Sequence, residues 1–210
     1  LADETRVFRR AMPNLHAAFA RRGVWFRNHH AHGFPSGEGI MNLELGVWSA
    51  PGVAIAAERL ELGVPSLGGE FGRAGYATSW FTGSDPTFDN LQHMMRRSYE
   101  DVRIVDSDDD RLLVRRPLDA VRARRRGGEG RARPIVLGLY TSTTHTPYSV
   151  PGQVTPADPD RAYDSALAHA DRALGDLFDA LEREGRSEST LVVVTGDHAQ
   201  PTPRHVAMHV

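Results

Sequence analysis

Apolar segments that end in clusters of polar residues are the feature that most constrains the fold of this chain. IVLGLY (135–140) runs into TSTTHTPY, and TLVVV (190–194) runs into TGDHAQP. VWFRNHHAHG (24–33) begins with apolar residues and leads to the loop FPSGEG. Short apolar runs bounded by loops are typical of strands, and fully buried ones occur in parallel sheets. We therefore predict a strand in each segment, followed by a polar loop.

Helical patterns alternate with these strands. The segment 163–184 (YDSALAHADRALGDLFDALERE) has apolar residues every three or four positions, which is typical of an amphipathic helix. We predict further helices at 13–23, 37–50 and 65–75, and another strand in YATSWFTG (76–83). Because strands and helices alternate, the sequence predicts an α/β fold with a mainly parallel sheet.

The composition excludes several classes of protein and site. A formal net charge of −2 gives no global attraction to nucleic acid, so we expect no nucleic-acid partner. The chain has no cysteine, which excludes disulfides, thiolate metal sites and a cysteine nucleophile. No apolar run approaches the roughly 18 residues of a membrane helix, so we expect this stretch to be soluble. Any metal must be held by oxygen and imidazole ligands.

Two of the polar clusters contain residues suited to metal and nucleophile chemistry. Loops after the carboxyl ends of parallel strands face one crevice, where ligands bind in open α/β sheets. The adjacent Asp197 and His198 offer a carboxylate and an imidazole, a pair suited to Mn, Zn or Mg. Ser36 precedes a predicted helix. Its hydroxyl fits either an N-cap or a nucleophile activated by a nearby metal, and the sequence leaves both open.

The remaining polar clusters are less specific. His145 lies on a proline-stiffened loop and should face the same crevice, although a plain surface position is the alternative. His29, His30 and His32 cannot all point inward from an extended segment, and we select His32. We interpret the acidic run 106–110 and the arginine-rich stretch 122–133 as a solvated helix and a flexible connection, with a nucleic-acid or lipid-headgroup patch as the alternative.

Five segments in one order resemble a known family. They are MPNLHAAFARRGVWFRNHHAHG, AGYATSWFTGSDPTFDN, TSTTHTPYSVP, YDSALAHADRALGDLFDAL and VVVTGDHAQP. Together they are similar to the catalytic domain of lipoteichoic acid synthases and phosphoglycerol transferases, a sulfatase-like branch of the alkaline phosphatase superfamily. Each segment alone is a weak signal, but their order over nearly the whole chain is specific. The resemblance implies a three-layer α/β/α, alkaline phosphatase-like fold with a mainly parallel central sheet.

The resemblance also implies roles for individual residues. Ser36 falls where the family has its threonine nucleophile, which also binds the metal. Asp197 and His198 fall on metal ligands of the family's last strand.

Substrate contacts are implied less strongly. His145 falls on a contact to the substrate phosphate, and Asp89 and Asn90 lie in the FDN motif near the substrate pocket. We add His32 as a further candidate substrate-binding residue.

The implied reaction is transfer of a phosphoglycerol group from a phospholipid headgroup donor to a glycan or lipid acceptor, through a covalent Ser36 intermediate. The implied cofactor is one divalent metal, Mn first, with Mg or Zn as alternatives. The implied parent protein is membrane-anchored, at the extracytoplasmic face of a bacterial membrane. Phosphoethanolamine transfer, phosphodiester hydrolysis, a sulfatase-like hydrolase and a degenerate, non-catalytic binding module remain alternatives.

Two departures from the family pattern bear on these expectations. Sulfatases carry proline two residues and arginine four residues after the nucleophile, whereas Glu38 and Ile40 occupy those positions here, which disfavours sulfate ester hydrolysis. The family's glutamate ligand ends a strand before the Pro-Asn-Leu helix, and Glu4 has no apolar strand before it. We therefore expect residues 1–210 to be part of a single catalytic domain, without its first strand and C-terminal part, that binds metal poorly in isolation.

Overall fold

The sheet at the centre of the molecule is parallel. The computed structural model describes residues 9–26, 29–30, 33–48, 63–83, 85, 87–105, 107–126 and 133–198. Within this part of the chain the sheet has the order β2-β1-β3. Its strands are β1 (Ala77–Thr82), β2 (Asp101–Ile104) and β3 (Ile135–Tyr140). Both pairings are parallel, with Trp80 opposite Val102 on one side and Gly138 on the other.

Six α-helices have both ends in the described residues, and residues 9–11 are also helical. They are α1 (Pro13–Arg22), α2 (Ser36–Leu45), α3 (Leu67–Arg73), α4 (Leu91–Ser98), α5 (Asp110–Arg126) and α6 (Pro159–Arg183). Single 3₁₀ turns lie at Phe88–Asn90 and Ser187–Ser189. In the described ranges, no helix combines the length and apolar character needed to cross a bilayer.

Alternate side chains of the strands divide the core between two helical layers. Trp80 packs into a cluster with residues of α2 and α4, including Ile40, Met41 and Met95. Phe81, the next residue, packs on the opposite face against Leu113 of α5. Since successive side chains of a strand point to opposite faces, one helical layer covers each face.

The second helical layer is completed by α6. This helix packs on α5 through apolar residues that include Leu118, Ala173 and Ala180. The resulting architecture is a three-layer α/β/α arrangement around a parallel sheet. The predicted fold class is confirmed.

Helix α1 is held in place by one buried carboxylate. Asp171 of α6 is 1% exposed, and its two oxygens accept hydrogen bonds from the backbone N–H groups of Asn14 and Leu15 at 3.0 and 2.9 Å. The Asn14 side-chain amide donates to the same carboxylate at 2.9 Å. The first N–H groups of a helix have no partner within the helix. Asp171 therefore caps α1, and Asn14 and Leu15 of the Pro-Asn-Leu motif attach α1 to α6.

Two predicted strands are wrong in the described residues. Neither 24–26 nor 190–198 has strand structure. Their apolar side chains are largely solvent-exposed, with Phe26 at 76%, Leu191 at 88% and Val193 at 75%. A strand needs a neighbouring strand with which its backbone forms hydrogen bonds. A run of β-branched residues shows only that the side chains would fit a pleated sheet, and it does not show that such a neighbour exists.

Other predicted boundaries shift for local reasons. The helix predicted at 37–50 ends at Leu45, because Gly46 adopts a left-handed conformation with φ of 62°. The helix predicted at 65–75 is α3, Leu67–Arg73, with the Ser66 side chain accepting from the Gly69 N–H. Strand β2 was not predicted, because DVRI is short and carries two charges.

Candidate active site

Ser36 is the first residue of α2. Pro35 occupies the N-cap position and supplies no side-chain cap, so the hydroxyl of Ser36 lies just inside the helix rather than capping it. The amino end of a helix carries partial positive charge from the aligned peptide dipoles. The start of α2 therefore favours an anionic group beside the Ser36 hydroxyl.

The structure brings Ser36 and the Asp197-His198 pair together. Ser36 Oγ lies 3.0 Å from Nε2 of His198. The same imidazole nitrogen lies 3.6 Å from Oδ2 of Asp197, while Oδ1 of Asp197 accepts a hydrogen bond from the backbone N–H of His198 at 3.0 Å. The ring of Phe34 packs edge-on against His198, with centroids 5.1 Å apart. A hydroxyl, an imidazole and a carboxylate thus converge at the start of α2.

Glycine makes this convergence possible. A Cβ on Gly39 would lie 2.4 Å from the carbonyl oxygen of Asp197, closer than van der Waals contact allows. A Cβ on Gly33 would lie 2.3 Å from the backbone nitrogen of Gly39. The glycines around Ser36 therefore allow the backbone that carries Asp197 to cross directly over the first turns of α2.

Tyr140 is a site residue that sequence reasoning missed. It is the last residue of β3. Its ring stacks on Trp80, with centroids 6.3 Å apart and planes 16° from parallel. Burial raises the pKa of Tyr140, a hydrogen bond from Ser36 opposes this shift, and the nearby charge of Asp197 raises the pKa further. Its place at the end of the predicted strand IVLGLY was the signal that could have identified it.

Two further tyrosines join the loop after β3 to α6. Tyr148 of this loop meets Tyr163 of α6 edge-on, with centroids 5.3 Å apart. Burial raises the pKa of Tyr163 to about 12, with Tyr148 and the charge of Asp197 as further causes. The loop that follows β3 therefore packs on α6.

The same loop is anchored by the acidic run. Asp110 is 1% exposed, and its Oδ1 accepts from the backbone N–H groups of Ser142 and Thr143 at 3.0 and 3.3 Å. The Thr143 hydroxyl donates to the backbone carbonyl of Asp108 at 3.1 Å. Burial raises the pKa of Asp110. The prediction that this run is only a solvated helix is wrong, because Asp110 begins α5 by binding the loop. The arginine-rich residues 127–132 lie outside the described ranges.

His145 lies on this loop with an exposed side chain. Its Nδ1 is 2.7 Å from the backbone carbonyl oxygen of Thr146, to which Nδ1–H donates, because a carbonyl oxygen can only accept. Because the loop follows the carboxyl end of β3, His145 lies at the same edge of the sheet as Tyr140. Its predicted contact with a substrate phosphate stays a prediction.

The other predicted substrate residues are only partly described. Asn90 follows the carboxyl end of β1, in the 3₁₀ turn before α4, and is exposed with φ of 55°. The turn before it is fixed by Asp85, whose Oδ1 accepts from the N–H and hydroxyl of Thr87 at 2.9 and 2.7 Å. The side chain of Asp89 and the whole of His32 lie outside the described residues. The roles of all three stay predictions.

The donor atoms at the site fit part of a divalent-metal site. Ser36 Oγ, the Asp197 carboxylate and His198 Nε2 are oxygen and nitrogen donors of the kind that Mn, Mg and Zn accept. A structural zinc site takes four ligands, and Mg takes about six. In the described part of the chain, no group of three or more His, Cys, Asp or Glu side chains is placed to hold a metal. Glu4, His205 and His209 lie outside that part.

Comparison with known proteins shows which family and which solved structures this chain resembles. A family model described as Sulfatase matches residues 7–207. No curated protein sequence shows a significant match. The three solved structures described next are each below 25% sequence identity to this chain, so they bear on its fold alone.

Three solved structures illustrate this likeness. An alkaline phosphatase superfamily protein from Vibrio parahaemolyticus has a TM-score of 0.68 and 21% identity, over 82% of this chain and 45% of that one. The lipoteichoic acid synthase LtaP from Listeria monocytogenes has a TM-score of 0.70 and 15% identity, over 84% of this chain and 47% of that one. The C-terminal periplasmic domain of EcEptC from Escherichia coli has a TM-score of 0.60 and 18% identity, over 82% of this chain and 52% of that one. The chain spans about half the length of these structures, and the predicted alkaline phosphatase-like fold is confirmed.

Proposed function

The chain belongs to the sulfatase family, and from this premise we propose that it is a metal-dependent phosphotransferase in which Ser36 carries the transferred group. One observation carries the proposal: Ser36 Oγ lies 3.0 Å from His198 Nε2, beside the carboxylate of Asp197. A hydroxyl beside a carboxylate and an imidazole has the composition of a metal-activated nucleophile. The amino end of α2 adds partial positive charge at the same place.

Ser36, Asp197 and His198 are the residues that we propose hold the metal. When bound, a divalent metal supplies positive charge that polarises a phosphoryl oxygen and favours the ionised form of a hydroxyl. Mn is our first expectation, with Mg or Zn as alternatives. Further ligands, besides Ser36, Asp197 and His198, would complete the coordination shell of the metal.

The proposed reaction consists of two displacements at phosphorus. Ser36 Oγ attacks the phosphodiester, the bond from phosphorus to the lipid alcohol breaks, and the Ser36 proton ends on that alcohol. An acceptor hydroxyl then attacks the phospho-Ser36 diester, the bond to Oγ breaks, and the acceptor's proton ends on Ser36. A glycan or lipid acceptor gives transfer, whereas water gives hydrolysis.

The donor and setting are proposed by analogy with the similar structures. One is a lipoteichoic acid synthase and another is a periplasmic domain. These support a phospholipid headgroup donor of the phosphoglycerol type and an extracytoplasmic, membrane-anchored parent protein. We further propose that residues 1–210 belong to one catalytic domain.

The decisive experiment is intact mass spectrometry of the protein expressed from its complete reading frame. The wild type and Ser36→Ala are incubated with Mn and a phosphatidylglycerol analogue. We expect a glycerophosphate-sized adduct on the wild type and none on Ser36→Ala, because the variant lacks the nucleophilic oxygen. An adduct of equal yield on both proteins would show that Ser36 is not the nucleophile.

Alternative donors in the same experiment separate the rival activities. A phosphatidylethanolamine analogue that outcompetes the first donor indicates phosphoethanolamine transfer. Rapid release of the headgroup without an acceptor indicates a phosphodiesterase, and turnover of an aryl sulfate indicates a sulfatase-like hydrolase. If no donor leaves an adduct or turns over, and Mn does not bind, the chain is a non-catalytic binding module.

A further inference from the structure

The loop that follows β3 is held at its start by Asp110. The Oδ1 atom of Asp110 accepts hydrogen bonds from the backbone N–H groups of Ser142 and Thr143 at 3.0 and 3.3 Å. The Thr143 hydroxyl also donates to the backbone carbonyl of Asp108, at 3.1 Å. Asp110 is 1% exposed, and hydrogen bonds in such a low-dielectric interior are stronger than in water. The start of the loop therefore has a fixed position relative to α5.

His145 is attached to the same start of the loop. Its backbone N–H donates to the carbonyl oxygen of Ser142 at 2.9 Å. Ser142 thus binds Asp110 through its own N–H and holds His145 through its carbonyl group. In the imidazole, Nδ1–H donates to the carbonyl oxygen of Thr146 at 2.7 Å, which leaves Nε2 as the ring nitrogen that can meet a ligand. Two hydrogen bonds therefore connect the Asp110 carboxylate with the backbone of His145.

The end of the loop is fixed in a conformation that has an energetic cost. Tyr148 has φ of 63°, in the left-handed region that residues with bulky side chains rarely adopt. Its N–H donates to the carbonyl oxygen of His145 at 2.8 Å. Its buried ring meets that of Tyr163 of α6 edge-on. Backbone strain of this kind persists only where the surrounding structure imposes it, and it concentrates at functional sites. The loop is therefore held on both sides of His145.

We propose that Asp110 is a positioning residue, which acts on the reaction by holding His145 where Nε2 meets the phosphate of the donor. The inference rests on the proposed function. In the imidazolium form of His145 both ring nitrogens carry protons, so Nε2–H donates to a phosphate oxygen while Nδ1–H stays on Thr146. An imidazole on a fixed backbone loses little conformational freedom when this contact forms. Asp110 itself is buried and does not touch the donor.

A double-mutant cycle in the protein expressed from its complete reading frame separates this role from a purely structural one. We expect His145→Ala to lower kcat/KM for the phosphatidylglycerol analogue about 10- to 100-fold, the usual worth of one hydrogen bond to a charged group. Asp110→Ala should lower it about 10-fold in the wild type and cause no further loss in His145→Ala, because the two residues act as one unit. An unchanged kcat/KM in Asp110→Ala, or an equal loss in both backgrounds, overturns the inference.

Two further variants accompany this cycle. Asp110→Asn keeps an oxygen that can accept from both backbone N–H groups, so it should retain most of the wild-type kcat/KM. The matched control is Asp119→Ala on the same helix, where a mostly exposed carboxylate pairs with Arg122. We expect this control to leave kcat/KM unchanged. A loss in Asp119→Ala as large as that in Asp110→Ala contradicts a specific role for the bonds to the loop.

A second measurement does not depend on turnover. In protein labelled with ring-¹³C histidine, the NMR signal of His145 is assigned by its loss in His145→Ala. We expect this signal to move in Asp110→Ala and to stay in place in Asp119→Ala. An unmoved signal in Asp110→Ala overturns the inference whether or not any donor reacts. A moved signal in a protein that turns over no donor supports the hold of Asp110 on His145 and contradicts the proposed function.

The near-isosteric variant Thr143→Val replaces Asp110→Ala if the latter does not fold. It removes the hydroxyl that donates to the Asp108 carbonyl and leaves the N–H of residue 143 in place for Asp110. We expect the His145 signal to move in this variant too, because the start of the loop loses one of its bonds to α5 and the residues before it. A signal that stays in place overturns the inference.

Discussion

At the scale of single residues, Gly39 determines how closely the two parts of the candidate site approach each other. A Cβ there would lie 2.4 Å from the carbonyl oxygen of Asp197 and 3.1 Å from its Cβ. Backbone cannot yield as a flexible side chain can, so any larger residue must displace Asp197 from Ser36. Gly39 thus affects the proposed reaction only through the position of Asp197.

The substitution Gly39→Ala should lower kcat/KM for the phosphodiester donor by about 100-fold, because a displacement of about 1 Å at a reacting centre has that effect. We expect the free energy of unfolding to fall by about 1–3 kcal/mol from overpacking. Donor turnover and urea unfolding measure the two effects. Gly72→Ala in α3 is the control, since a Cβ there meets nothing within 4 Å, and we expect full activity. Equal activity of the two variants would show that the approach at Gly39 is unimportant.

The sequence locates some residues of the site and not others, for a physical reason. Ser36, Asp197 and His198 were selected because each lies in a polar loop after an apolar segment, and the structure places Ser36 beside His198 although neither segment forms a strand in the described residues. Tyr140 was missed because its role depends on which residue lies beside it in space. The stack on Trp80 follows from the register of β1 and β3, which no local pattern reports.

At the scale of secondary-structure elements, the contact between α1 and α6 depends on the Asp171 carboxylate. Asp171→Ala leaves the N–H groups of Asn14 and Leu15 without their acceptor, the first bond being partly buried and the second buried. We expect the free energy of unfolding to fall by about 3 kcal/mol, because each unsatisfied buried donor costs about 1–3 kcal/mol. Urea unfolding followed by circular dichroism measures the loss.

The control for this prediction lies on the same helix. Asp176 pairs with Arg111 at 2.7 Å, and both side chains are about half exposed. Exposed ion pairs contribute little, so Asp176→Ala should change the free energy of unfolding by less than about 1 kcal/mol. A loss in Asp171→Ala no larger than that in Asp176→Ala would contradict the capping role.

Helices were predicted better than strands because their evidence is local. Helix α6 was predicted at 163–184 from its apolar period and is observed at Pro159–Arg183, with Asp158 capping the Arg161 N–H. Strands β1 and β3 lie between the helical layers, β1 mostly buried and β3 partly buried, and both were predicted correctly. The segments 24–26 and 190–198 have a similar apolar character without a ladder in the described structure.

At the scale of the whole molecule, one buried pair makes stability depend on pH. Glu44 of α2 accepts a hydrogen bond from the Tyr99 hydroxyl at 2.7 Å. Burial raises the pKa of Glu44 above its ordinary value of 4.5, although the hydrogen bonds from Tyr99 and the Gly68 backbone oppose the shift. The folded state therefore binds this proton more tightly than the unfolded state. Stability is lost as the pH rises above about 4.5 toward the raised pKa.

The variant Glu44→Gln removes this titration while keeping an oxygen that accepts from Tyr99. We expect its melting temperature to exceed that of the wild type at pH 7, and the difference to shrink as the pH falls toward 4.5. Thermal unfolding across this range measures the difference. Glu70→Gln in α3, where the carboxylate is half exposed and pairs with Arg73, should show no such trend. A constant difference for Glu44→Gln would contradict the assigned titration.

The contact between Ser36 and His198 joins residues 162 positions apart in the chain. During synthesis at about 5–20 residues per second, the serine waits roughly 10–30 s before its partner has been polymerised. A nascent or prematurely terminated chain that stops before position 198 has no imidazole to place beside the Ser36 hydroxyl. The candidate site can therefore form only after His198 has been synthesised, and shorter translation products lack one of its residues.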